Sequence, residues 1–227
     1  MGQTLVSQSV HTAADSGSVG RVLKVLAWVV IVSIAVGFVA KYVFHYYLNY
    51  NAAAYNVFWP HRDGLLLHIT GGMTALLTGP FQFWTGLRRR HMKVHRWTGR
   101  LFLIGILMAS AGAFYLVATI TADGWPFRFA LFVLALAWLT TSSMAYYAIR
   151  KGQVEIHKEW MTRAYVVTFA FVTFRVLNDF GPTSHILPVQ ARLAAYAWVS
   201  WVVPLLATEV ILQLKHMRKA AQRGLPS

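Results

Sequence analysis

Long apolar runs, separated by short polar or basic stretches, dominate this chain. Six of them stand out, at about residues 22–47, 64–87, 97–121, 126–149, 160–180 and 193–214. A helix rises about 1.5 Å per residue, so each run is long enough to cross a hydrocarbon core of ~30 Å. Residues 1–20 are small and polar and predict a disordered cytoplasmic tail. Residues 21–215 predict a six-helix transmembrane domain, and 216–227 a short basic cytoplasmic tail. The expected fold class is all-α, a polytopic membrane protein with six transmembrane helices.

Composition agrees with this pattern. Of 227 residues, 57% are hydrophobic and 12% charged, with a mean hydropathy of +0.49. A soluble domain carries about 25% charged residues, so this chain could not cover a water-facing surface. The net charge of +14 would suggest nucleic acid in a soluble protein. Here it reports topology and implies no nucleic-acid partner. Sixteen of the 21 Lys and Arg flank the termini or fall in the loops after the second and fourth runs. Lys41, Arg62, Arg128, Arg175 and Arg192 make up the other side. Cytoplasmic loops collect Lys and Arg, so both termini are expected in the cytoplasm, and the bilayer is the first partner. Nine Trp, ten Tyr and fourteen Phe suit aromatic belts at the two membrane surfaces. The absence of Cys excludes disulfides, thiolate metal sites and Cys nucleophiles. No phosphate loop, nucleophile elbow or zinc-protease signature occurs.

An internal repeat refines the expectation. Residues 78–95 align without a gap to 140–157, with Thr78/Thr140, Arg88/Arg150 and His95/His157 identical. One inserted residue later, Trp97 matches Trp160 and Arg100 matches Arg163. Each copy reads helix, basic loop, helix. The second to fifth runs are therefore expected to form a central four-helix bundle from two repeated helical hairpins. Small residues recur at every fourth position in Gly71, Ala75 and Gly79, and again in Gly105, Ala109 and Ala113, which lets helices approach closely in lipid. Pro80 is expected to kink the second helix.

Two constellations carry candidate chemistry. His95 and His157 each begin a helix at the cytoplasmic end and are repeat mates. Two neutral imidazoles on facing helices suit the axial positions of a b-type haem, with Arg88, Arg89, Arg100 and Arg163 near its propionates. Ordinary interfacial histidines, or another ligand, are the competing readings. The second constellation is outward. His68 lies in the second run at the depth where the fifth delivers Arg175, Asn178 and Asp179, and Arg175 and Asp179 have the i, i+4 spacing of an ion pair. Such a cluster suits a quinone head group, an anion or a relayed proton, or simply holds the bundle together. His91 and His95 have a metal-clipping spacing, but no carboxylate stands beside them and three Arg precede them. Glu209 is expected to pair with Arg100 or Arg163.

The stretch HITGGMTALLTGPFQFWTGLRRRHMKVHRWTGR (68–100), followed by WLTTSSMAYYAIRKGQVEIHKEWMTRAY (138–165), resembles a family of bacterial multi-pass membrane proteins known only as a domain of unknown function. The resemblance spans roughly residues 60–215. It implies an integral inner-membrane protein and assigns no reaction. The layout is also similar to six-helix b-type cytochromes, which place a His on each of four central helices. This chain departs from that pattern, because the repeat-equivalent of His68 is Ala130 and the fourth run has no His. Two function classes stay open: a haem-binding electron-transfer protein with a quinone or small reductant as partner, and a non-redox transporter, sensor or scaffold built on His68, Arg175 and Asp179.

Overall fold

The computed structural model describes residues 20, 22–23, 25–88, 91–181, 186–222 and 224, with backbone only over 85–88. Residues 1–19 of the expected tail, Arg89 and the Arg88 side chain lie outside the described residues. Among those described, the apolar runs become helices and no strand occurs. Helix α1 is Val25–Leu48, with a π-helical turn at Val39–Val43. A short turn of helix, Ala52–Tyr55, and a 3-10 segment, Asn56–His61, lead into α2, Arg62–Arg88. Then come α3, Met92–Thr119, and α4, Trp125–Arg150. The last elements are α5, Val154–Thr168, α6, Ala170–Phe180, and α7, Val189–Gln222.

Four of these helices, α1, α3, α4 and α7, are long and apolar enough to cross a membrane. The other two predicted spans are helical for different lengths. Helix α2 has 27 residues, but His68, Thr70, Thr74, Thr78 and Gln82 dilute its apolar character. The run at 160–180 is not one helix. It breaks at Phe169, whose amide bonds back to the Tyr165 and Val166 carbonyls, so α5 and α6 meet end to end. The last helix outruns its expected span and carries the basic tail as far as Gln222.

Packing follows the small-residue stripes. Helix α2 lies along α3 and α4 along α5, while α7 closes against α4, α5 and α6. A methyl on Gly71 would collide with the backbone of Gly105 and Ala109, so α2 and α3 touch backbone to backbone. The central core joins Ala75, Phe102, Ile106, Ala109, Leu134, Trp138, Ala164, Tyr165 and Trp201. A second cluster, nearer the opposite end, joins Phe127, Ala130, Phe174, Ala194, Tyr196 and Ala197. In the connection after α1, Tyr55 is fully buried against Tyr46, Tyr50 and Trp59, and its hydroxyl donates to the Tyr46 carbonyl at 2.8 Å. That burial pushes the phenol above its ordinary pKa.

Pro80 sits inside α2 and cannot donate to the carbonyl four residues back, at Leu76. The Tyr165 hydroxyl of α5 donates to that same carbonyl at 3.1 Å. The tyrosine ring reaches it across Gly79, where any Cβ would strike the ring. The Pro80 carbonyl in turn accepts the Trp28 indole N–H at 3.1 Å, which ties α1 to the same kink.

Candidate functional site

A cavity of about 360 Å³ lies within the half of the bundle that holds His68, bounded by α1 to α6 and by Leu193 of α7. Its wall is mostly aliphatic and aromatic, with Met73, Leu76, Trp138, Phe171 and Phe174 among the lining residues. Ligand sites for small molecules are commonly of this size and character, with a few converging polar groups.

Those polar groups arise at two levels. At the deeper level His68 puts Nδ1 2.8 Å from the Ala109 carbonyl, which makes Nδ1 the donor and leaves Nε2 as the lone-pair nitrogen. The ring rests edge-on against Phe171, with centroids 5.5 Å apart. Ser110, the next residue to Ala109, also lines the cavity. It is 2% exposed, and its hydroxyl has no hydrogen-bond partner among the described residues. Arg175 and Asn178 stand further out. Arg175 follows Phe171 by four residues, one helical turn or about 6 Å along α6. Its guanidinium lies 5.7 Å from the Tyr42 ring centre, and no carboxylate among the described residues comes within salt-bridge distance. The Asn178 side-chain oxygen is buried with no partner among the described residues. Buried polar atoms are nearly always satisfied, so these two, set in residues that line one cavity, are the exceptions there, although each atom has almost no accessible surface of its own.

Asp179 does not join this set. It accepts from the Tyr42 hydroxyl, and its carboxylate stands 3.9 Å from Lys41. The i, i+4 pairing with Arg175 expected from the sequence gives way to this tie to α1. Three of the four outer candidates, His68, Arg175 and Asn178, therefore meet around the cavity, and Asp179 holds its wall. Ser110 and Tyr42 were missed. Ser110 is the lone polar side chain between Arg100 and Tyr115, which is the signal that could have found it.

At the end of the bundle that carries the basic loops, His95 and His157 occupy the first turns of α3 and α5, close enough for the charge of one to act on the other. His157 donates Nδ1 to the Ala145 carbonyl at 2.9 Å, an arrangement that orients metal-ligating imidazoles. The donor chemistry suits an axial pair. Neither His lines the cavity. Buried Gln82 ties α2 to the start of α3, donating to the His95 carbonyl at 3.0 Å and to the Thr98 hydroxyl, with its side-chain oxygen against Gly99. Arg163 is held by Glu209 at 2.6 Å and stands 3.9 Å from Glu159, which also contacts His216. Of the two partners expected for Glu209, Arg163 is the one it takes. Arg100 is exposed over Trp97. Ala130, where the cytochrome pattern would need a His, is fully buried in the second apolar cluster. Among the described residues, no group of three or more His, Cys, Asp or Glu could hold a metal ion.

An all-helical bundle with several helices long and apolar enough to cross a membrane defines the class: a multi-pass helical membrane protein, here with a cavity inside the bundle. The family model described as "Predicted membrane protein (DUF2306)" matches residues 65–212, and the chain belongs to that family. No curated protein and no solved structure matches the chain.

Proposed function

We propose that this protein binds the head group of a membrane-dissolved quinone in the cavity between α2, α3 and α6. The observation that carries the reading is the pairing of an apolar, ring-sized cavity with polar groups at two levels about one helical turn apart. The Ser110 hydroxyl would donate to one quinone oxygen and the Arg175 guanidinium to the other; once the ring is reduced, His68 Nε2 and the Asn178 side-chain oxygen would accept from the corresponding O–H groups of the quinol. An Arg without a carboxylate partner is costly in a membrane interior, and a ligand oxygen offsets that cost.

The reading includes a topology. The chain crosses the bacterial inner membrane six times, with α2 and the α5–α6 pair as the two more polar passes and both termini in the cytoplasm. Two repeated hairpins, α2–α3 and α4–α5, form its centre. Arg100 over Trp97 and Arg163 over Trp160, with cation-to-ring distances of 5.1 and 4.7 Å, support that repeat.

The test is thermal stability in detergent with and without a short-chain benzoquinone. Binding to the folded state alone stabilises by about 2.7 kcal/mol at a ligand concentration of 100 Kd. His68→Ala and Arg175→Ala should lose this response. So should Gly72→Phe, because Gly72 lines the cavity and a Cβ there meets nothing within 4 Å, so the new ring fills the site and spares the fold. A response that survives Gly72→Phe would sink the proposal.

A second reading keeps a b-type haem between His95 and His157, favoured by their proximity and by the His157 hydrogen bond to Ala145. Protein purified from a haem-replete host decides it. A Soret band lost in either His→Ala variant supports haem, and a colourless folded protein excludes it.

A further inference from the structure

The outer half of α1 forms one wall of the cavity. Phe38, Val39, Tyr42, Val43 and Tyr46 all line the cavity, so two turns of the helix face it. What holds this half is a small apolar cluster, Ala35, Val39 and Val43 against Leu76 and Val172. Polar ties are added: Tyr42 and Lys41 to Asp179, the Arg175 guanidinium over the Tyr42 ring, and the Tyr47 hydroxyl to that of Thr70 at 2.5 Å. The other half is pinned separately, by the Trp28 indole on the Pro80 carbonyl and its ring against Trp84. Between the two halves begins the π-helical turn Val39–Val43. Such turns interrupt the regular hydrogen-bond ladder and recur at functional sites. On its other face α1 exposes Ile34, Val36 and Phe44, the apolar surface a helix shows to lipid.

We propose that the outer half of α1 is a side gate, latched by Asp179, through which a lipid-tailed quinone reaches the cavity directly from the bilayer. This rests on the quinone reading of the cavity and adds the route and the class of ligand: a head that enters and an apolar tail that stays in the hydrocarbon. Three observations converge on it. The carboxylate one turn from Arg175 is spent on α1, which leaves the guanidinium for the ligand and makes the latch part of the site. The family match begins at residue 65, beyond α1, so the shared bundle is α2 to α7 and α1 is laid over its flank. The wall that α1 supplies faces hydrocarbon on one side and the apolar cavity on the other, so an opening there never passes a tail through water.

The chain has no Cys, which allows a clean crosslinking test. Val39→Cys with Val172→Cys, joined by a short reducible thiol crosslinker, would fix the gate shut in nanodiscs. The probe is a decyl-tailed benzoquinone, and the readout is the rate of tryptophan fluorescence quenching. Joining the pair should slow quenching at least tenfold, and reduction should restore it. Asp179→Asn without the crosslink should speed it by about tenfold, the effect of one charge-assisted hydrogen bond. Crosslinked protein that quenches at the wild-type rate, while Gly72→Phe still blocks quenching, overturns the gate and leaves the cavity site standing. Unchanged uptake in Asp179→Asn also overturns it, whether or not the pair can be joined. No quenching in wild-type protein overturns the quinone reading and the gate with it.

Discussion

Tyr165→Phe removes one oxygen atom and should expose the weakest point of α2. The Leu76 carbonyl has no amide donor from Pro80, and Tyr165 supplies the replacement at 3.1 Å. Both residues are buried, at 4% and 7% exposure, so water cannot substitute freely. Leaving a buried acceptor unmatched costs about 1–3 kcal/mol in soluble proteins. Side-chain hydrogen bonds within membranes average about 0.6 and reach about 1.7 kcal/mol. The expected loss is therefore about 1 kcal/mol. Pro80→Ala returns an N–H that can reach the Leu76 carbonyl, so in that background Tyr165→Phe should cost only a few tenths. Reversible unfolding of all four proteins in mixed micelles gives the coupling energy directly. Equal costs of Tyr165→Phe in the two backgrounds would refute the reasoning, since the tyrosine would then act through its ring and not through the orphan carbonyl.

Other consequences are as direct. Gly105→Ala places a methyl 2.7 Å from the Gly71 carbonyl, so it should destabilise by about 1–3 kcal/mol through overpacking, measured in the same micelle unfolding assay. Arg163→Ala should cost more than Glu209→Gln, because it strips two carboxylates of their partner. The Glu209 side chain is 44% exposed, so the pair itself should be worth about 1 kcal/mol or less and should weaken at high salt. Reporter fusions at residues 92, 153 and 220 should read cytoplasmic, and fusions at 56, 123 and 186 external. An external signal from either basic loop would reverse the orientation.

Much of the architecture was written in local pattern. A run of twenty apolar residues must satisfy its own backbone hydrogen bonds in lipid, so helicity followed directly from composition along the chain. The small-residue stripes of α2 and α3 were legible for a similar reason: a residue every fourth position lies on one face, and only Gly, Ala or Ser lets two backbones meet there. The inward face of His68 followed from the same spacing. What the sequence could not decide was competition between partners distant along the chain. The spacing of Arg175 and Asp179 permitted an ion pair, yet Tyr42 and Lys41, 137 and 138 residues away, take the carboxylate. The break at Phe169 has no proline to announce it. The match of Tyr165 to the carbonyl that Pro80 abandons depends on α5 crossing α2 at Gly79, which is a fact of packing. His95 and His157 do come near each other, and the contact of Gln82 with the His95 carbonyl was not legible, because it depends on how α2 meets α3. A cavity is what side chains from several helices fail to fill, so it exists only once those helices have met.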